Sequence, residues 1–101
     1  MDILDVARTF LYMDSMSHKK LQKLCYYAQA WYVTIKNKPL FEDDIEAWVH
    51  GPVSPILYQH YKGSGWSKLN LSDDAKLPQL TTEQEELLEA VWLTYGDMTA
   101  N

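Results

Sequence analysis

Cys25 is the only cysteine among 101 residues, so no disulfide can close within the chain and no CxxC-type metal site exists. A lone thiol suits a reducing compartment. Long apolar runs are also missing. The longest, Leu24 to Ala28, has five residues, against the ~20 that a membrane helix needs. The opening Met1-Asp2-Ile3-Leu4-Asp5 lacks the basic segment of a secretory signal. A soluble cytoplasmic protein is expected, with no membrane partner.

Enzyme signatures are absent too. There is no GxGxxG, no phosphate-binding P-loop and no GxSxG, and Gly63-Ser64-Gly65 is too short and poorly placed to cradle a phosphate. The histidines, His18, His50 and His60, show no metal-ligand spacing such as HExxH. Glu42-Asp43-Asp44 with Glu46 lacks the glycine and the spaced oxygen ligands of a calcium loop, and reads as a solvated turn. Cys25 lies in the most apolar part of the chain, where a thiol behaves as a small hydrophobe. No metal, no cofactor and no catalysis are expected. An enzyme built from His50 or His60 with Glu46 ranks last among the readings.

What is present is uneven charge and many aromatics. Fourteen acidic against nine basic residues give a net charge of −5. Residues 1–41 hold six basic and three acidic groups (+3), and residues 42–101 hold three and eleven (−8). Lys19, Lys20, Lys23, Lys36 and Lys38 could attract phosphates, which would make the chain a DNA-binding autoregulator. The plainer account ranks higher: lysines flanking an apolar helix solvate its ends, and the acidic remainder repels a polyanion. Four Trp, seven Tyr and two Phe exceed what one small core comfortably hides. An exposed aromatic patch is therefore expected, and such patches mark partner sites.

Periodicity places the elements. Ile3, Ala7, Phe10 and Leu11 recur at helical spacing behind a capping Asp2. Ser15 or Ser17 caps a second helix. From Leu24 to Val33 all but Gln29 are apolar, the mark of a buried central helix, with Leu21, Leu24, Cys25, Ala28, Tyr32 and Ile35 as its deepest stripe. Asn37-Lys38-Pro39 ends it, because the residue before proline leaves the α region. Ile45, Ala47 and Val49 alternate with Glu46, Trp48 and His50, predicting a half-buried strand with Trp48 on the other face. Gly51-Pro52 then turns the chain. Ser54-Pro55 opens a short helix to about Tyr61, on which Tyr58 and Tyr61 share a face. Trp66 to Leu71 is a second short strand. Thr82 and Glu85 fit a capping box for the last helix, whose buried face is Leu87, Leu88, Val91, Trp92 and Tyr95, with Gly96 as its stop. The fold class is mostly α (α+β). One domain over 1–101 is built around a central helix at about 17–36, with a small two- or three-stranded β element at about 39–49 and 66–71.

Two stretches resemble a known family. Lys20-Leu21-Gln22-Lys23-Leu24-Cys25-Tyr26-Tyr27-Ala28-Gln29-Ala30-Trp31 is one. The other is Pro39-Leu40-Phe41 followed by Ile45-Glu46-Ala47-Trp48-Val49-His50-Gly51-Pro52-Val53. Together they resemble the Panacea antitoxin domain, the SocA-like family of bacterial and prophage genomes known as phage-associated proteins. The likeness covers roughly residues 3–95. It implies an antitoxin rather than an enzyme, one that silences a cognate protein toxin by direct contact. In the SocA-type branch the antitoxin is also a proteolytic adaptor, handing its toxin to an ATP-dependent protease. The remaining alternative is another phage-associated interaction protein.

Among the positions that match the motif, Leu21, Leu24, Tyr27 and Trp31 are explained by packing. Lys23, Tyr26, Glu46, Trp48, Gly51 and Pro52 leave room for partner contact, and Tyr58, Tyr61 and Trp66 join them as exposed-aromatic candidates. A motif shared by antitoxins of unlike toxins is expected to maintain the scaffold. Family members usually continue past the last helix seen here. The resemblance therefore implies a missing C-terminal segment, which would leave part of the Leu87–Tyr95 face for self-association (a homo-oligomer) or for a partner.

Overall fold

A computed structural model describes residues 1–49, 51–64 and 67–98. Helix α1 spans Ile3–Met13, α2 spans His18–Lys36, α3 spans Pro55–Tyr61 and α4 spans Thr82–Tyr95. Between α2 and α3 lie two short strands, β1 (Glu46–Trp48) and β2 (Gly51–Val53), and a 3₁₀ turn over Lys62–Ser64 follows α3.

The helix starts follow from their caps. Asp2 accepts the Asp5 N–H at 2.8 Å while the Asp5 carboxylate accepts the Asp2 N–H at 3.1 Å, a reciprocal box that satisfies two otherwise orphaned donors. Burial alone would raise the Asp5 pKa. The Asp2 N–H and the Arg8 guanidinium, 2.6 Å away, outweigh it and hold the carboxyl below its ordinary value. Ser17 caps α2 through the Lys20 N–H, and Ser54 caps α3 ahead of Pro55. The start of α4 falls one residue earlier than the sequence pattern suggests, with Thr81 and Gln84 forming the box. Thr81–Gln84 and Thr82–Glu85 carry the same cap chemistry, so local pattern alone does not separate them.

Helix α2 packs against α1, α3, α4 and β2. Leu21, Leu24, Cys25, Ala28 and Tyr32 form its buried stripe, facing Val6, Phe10, Leu57, Leu88 and Val91 in the common core. Ile35 does not continue the stripe. It is 64% exposed, because burial stops one turn before the helix does. Asn37 ends α2 in the left-handed region, φ 55°, a conformation that asparagine tolerates, and Pro39 follows two residues on. The stop is thus made by Asn37 itself, and proline only prevents resumption. Trp92 and Tyr95 on α4 are half-buried, not core residues.

The β element differs from expectation. β1 pairs antiparallel with β2 in the register Glu46–Val53, Ala47–Pro52 and Trp48–Gly51. Gly51-Pro52, expected as a turn, is therefore strand. The chain reverses between Trp48 and Gly51, with Val49 in a turn and Gly51 at φ 124°, a value that suits glycine alone. All three β1 residues are exposed, and Val49 is 95% exposed, so this is not a half-buried strand. A tight two-stranded ribbon can shed its apolar alternation, because it stands off the core. Pro52 is tolerated in a ribbon with two open edges. Of the expected 66–71 strand, the described residues 67–71 add no strand to this sheet. Their one pairing is Leu69 with Met16, through N–H···O bonds of 2.7 and 3.3 Å.

Two glutamines of α2 hold the ribbon. Gln22, 7% exposed, accepts the Ser54 N–H at 2.9 Å and donates to the Ser54 carbonyl at 3.3 Å. Gln29, two turns further along the same face, accepts the Leu40 N–H at 2.8 Å and donates to the Phe41 carbonyl at 2.8 Å. The excursion from 42 to 53 is thereby clamped at both ends. Gln22→Ala leaves the buried Ser54 N–H without its acceptor, an expected loss of ~1–3 kcal/mol in urea unfolding, while the Ser54 carbonyl keeps the Tyr58 N–H at 2.9 Å. The cavity substitution Leu24→Ala is expected to cost ~2–5 kcal/mol. A Gln22→Ala protein as stable as wild type would show that Ser54 finds other partners.

Candidate partner interface

Clamped to α2 in this way, the ribbon presents Trp48 beside α3. The Trp48 ring centroid lies 5.4 Å from that of Tyr58, and Tyr58 stacks on His18 at 5.6 Å with an interplanar angle of 27°. His18 meets the edge of Tyr61 at 6.2 Å, and Tyr61 meets His60 at 4.6 Å. The outcome is a continuous row of rings, Trp48–Tyr58–His18–Tyr61–His60, drawn from the ribbon, the first turn of α2 and α3. Trp48 and Tyr58 remain 43% and 38% exposed. The Trp48 indole N–H is satisfied by Glu46 at 2.9 Å, which fixes the ring without hiding its face.

Six of the residues singled out from sequence meet here: Glu46, Trp48, Gly51 and Pro52 on the ribbon, Tyr58 and Tyr61 on α3. Tyr58 and Tyr61 share a face as expected, since both touch His18. Lys23 and Tyr26 are not part of the row. Tyr26 packs its ring 5.7 Å from Tyr27 and lines a shallow depression of about 360 Å³ with Pro39, Asp43 and Ile45. Lys23 is half-buried on α2. Trp66 and His50 lie outside the described residues. His18, at the centre of the row, was not among the candidates. Its one sequence signal is its place directly after a capping serine, and nothing in that position foretells two tyrosines from α3.

Chemically the row offers the partly exposed rings of Trp48 and Tyr58 beside an imidazole. Burial lowers the His18 pKa, and its place in the first turn of α2, by the positive end of the helix dipole, acts the same way, so the imidazole is neutral near pH 7. Burial pushes the Cys25 thiol far up, so it stays protonated in the core. Among the described residues no three His, Cys, Asp or Glu side chains gather to hold a metal ion, and no helix is long and apolar enough to cross a membrane.

The remaining aromatics of the first signature serve packing. Tyr27 stacks on Tyr95 of α4 at 4.0 Å, and Trp31 meets the same ring edge-on at 5.8 Å. Lys20 donates to the Gly96 carbonyl, and its ammonium lies 5.3 Å from the Trp92 ring. A second apolar area lies between α1 and α4, a groove of about 590 Å³ lined by Tyr12, Met13, Leu77, Trp92 and Leu93, with Glu85 and Glu89 at its margin.

Comparison with known proteins adds three findings. The family model described as "Antitoxin SocA-like, Panacea domain" matches residues 21–101. Antitoxin SocA of Caulobacter vibrioides (strain NA1000 / CB15N) is 38% identical over 96 residues, covering 85% of this chain and 51% of that protein. The chain thus spans about half the length of this relative. No solved structure matches it.

The lowered His18 pKa sets a pH dependence. The unfolded chain takes up the proton near 6.5 and the folded chain only at lower pH. The contribution of a neutral His18 is therefore full above 6.5 and is lost as pH falls through that value. Between pH 7.5 and 5.5 the melting temperature is expected to drop further for the wild type than for His18→Gln. Equal drops would show that His18 titrates alike in both states.

Proposed function

The chain belongs to the SocA-like, Panacea-domain antitoxin family, and from that premise we propose that it acts as the antitoxin of a bacterial or prophage toxin–antitoxin pair, neutralising its protein toxin by direct binding. The observation that carries this reading is the family match over four-fifths of the chain, residues 21–101, which contains both signatures.

The row of rings supports a contact surface. Aromatic side chains held by a rigid base lose little conformational freedom on binding and supply the anchors from which interface energy mostly comes. Trp48 and Tyr58 are the anchors here. Glu46, Gly51 and Pro52 frame them, and Tyr61 backs them through His18; Lys23 and Tyr26 lie off the row, and Trp66 is outside the described residues. Leu21, Leu24, Tyr27 and Trp31 hold the scaffold, so the surface can vary while the core does not. The −8 of residues 42–101 favours a basic toxin, whose approach it would steer. Delivery of the toxin to an ATP-dependent protease would require a second contact, made at the same time as the first. Operator binding finds less support, because Lys20 is occupied by Gly96 and Trp92.

Co-expression with the product of the adjacent gene tests the reading. That product alone is expected to arrest growth, and the full-length antitoxin to restore it through a complex that survives purification. Trp48→Ala or Tyr58→Ala should weaken the complex by ~30-fold or more, the hot-spot range of ~2 kcal/mol and above, with melting temperature unchanged. A neighbour that is harmless alone, or stays toxic beside the antitoxin, rejects the function. An intact complex with Trp48→Ala rejects the surface.

A further inference from the structure

A cavity of about 450 Å³ lies where α1, the end of α3 and the 70–76 segment meet, at the Tyr61–His60 end of the row of rings. Its polar lining is Arg8, His60, Tyr61, Asn70, Ser72 and Lys76, with Leu71 and Ala75 as its apolar wall. Each of the six polar side chains carries a hydrogen-bond donor, and no carboxylate lines the cavity among the described residues. In a chain of net charge −5, with eleven acidic groups after residue 41, such a lining is a marked local exception.

Arg8 makes the exception sharper. One terminal nitrogen of its guanidinium is bonded to Asp5 Oδ1 at 2.6 Å. Its Nε is buried and has no acceptor among the described residues. Asp5 does not meet that need: its Oδ1 accepts from the terminal nitrogen, and its Oδ2 accepts the Asp2 N–H at 3.1 Å within the cap of α1. A charged donor left without an acceptor costs more than the ~1–3 kcal/mol of a neutral one, and in a folded protein it calls for an explanation. Burial raises the Tyr61 pKa, although the Arg8 charge works against it, so the phenol keeps its proton and remains a donor.

We propose that this cavity is an anion site for the phosphoryl group of a small ligand, with Arg8 and Lys76 supplying charge and Asn70, Ser72, Tyr61 and His60 supplying directed donors. A phosphoryl group presents three oxygens and up to two negative charges, which matches donors converging from three chain segments better than a planar carboxylate does. The volume exceeds that of phosphate alone and leaves Leu71 and Ala75 to face a small attached carbon group. The site shares Tyr61 and His60 with the far end of the ring row but contains neither Trp48 nor Tyr58, and it does not depend on the antitoxin reading.

Calorimetric titration of the purified full chain at constant ionic strength, with inorganic phosphate, glycerol phosphate and AMP as probes, tests the assignment. One-to-one binding below ~1 mM is expected for at least one probe. Tighter binding of the esters than of inorganic phosphate identifies a monoester ligand, and the reverse identifies free phosphate. Lys76→Gln, on an exposed side chain, should weaken binding by about tenfold without lowering the melting temperature, and Arg8→Gln should abolish it. Arg8→Gln also breaks the Asp5 pair and could unfold α1, so Lys76→Gln with amide shifts at Asn70 and Ser72 carries the decision. Absence of heat and of amide shifts with all three probes at 10 mM (about ten times the expected dissociation constant) overturns the proposal. So does Lys76→Gln binding as tightly as wild type.

Discussion

Two carboxamides on one face of the central helix decide where everything downstream of it goes. Gln22 and Gln29 each take a main-chain N–H and return an N–H to a main-chain carbonyl, at Ser54 and at Leu40–Phe41. The Ser54 N–H, the Leu40 N–H and the Phe41 carbonyl lie outside the helix and strand ladders, so these side chains supply partners that regular secondary structure does not. A helix lined only with leucine could cover the same area, but it could not specify which residue sits opposite. The amides add that register to a core whose packing is otherwise non-directional. The start of α1 is tied to the same region, since Asp43 accepts the Ile3 N–H at 2.9 Å.

That clamp accounts for an exposed ribbon that is nonetheless well placed. β1 and β2 bury little, and a two-stranded ribbon alone is marginal in water. Anchored at Phe41 and Ser54, it holds Trp48 against Tyr58, and Tyr58 in turn against His18. The protein thus separates two tasks. Tyr27, Trp31 and Tyr95 stack to join α2 to α4, while Trp48 and Tyr58 keep a face toward solvent. Both sets are aromatic, and only their neighbours distinguish structural from presented rings. On the side where α1 meets the 70–76 segment, the same economy of partners leaves Arg8 with more donors than Asp5 can accept.

Much of the helical skeleton was legible in the linear pattern. The bounds of α1 and α3 and the start of α2 were readable because the signals are local: Asp2 with Asp5, Ser17, and Ser54 followed by Pro55 each satisfy backbone donors within a few residues. Membership of the Panacea family was legible for a related reason, since both signatures are short and contiguous. The ribbon was misread. Alternation across Ile45–Val49 fits a half-buried strand, yet the chain pairs back on itself from Gly51 before any second layer covers it. Leu69 looked like part of a strand, and its one partner, Met16, lies 53 residues away. Of the row of rings, Trp48, Tyr58 and Tyr61 could be named from their types and spacing, whereas His18 joins them only through the approach of α3 to the start of α2.

The amino-acid order by itself determined where α1 and α3 begin, which residues form the stripe of α2 down to Tyr32, the split of charge between the two parts of the chain, and the family. These depend on interactions between near neighbours in the chain, so they survive without knowledge of the fold. The tertiary structure alone decided that Gln22 and Gln29 are clamps rather than interruptions of an apolar run. It also decided that Trp48 stands out beside Tyr58 and His18, and that Arg8 shares a cavity with Lys76. Each of these needs groups separated by tens of residues to meet at hydrogen-bond or ring-contact distance. Only the packing of α2 against four other elements brings them there.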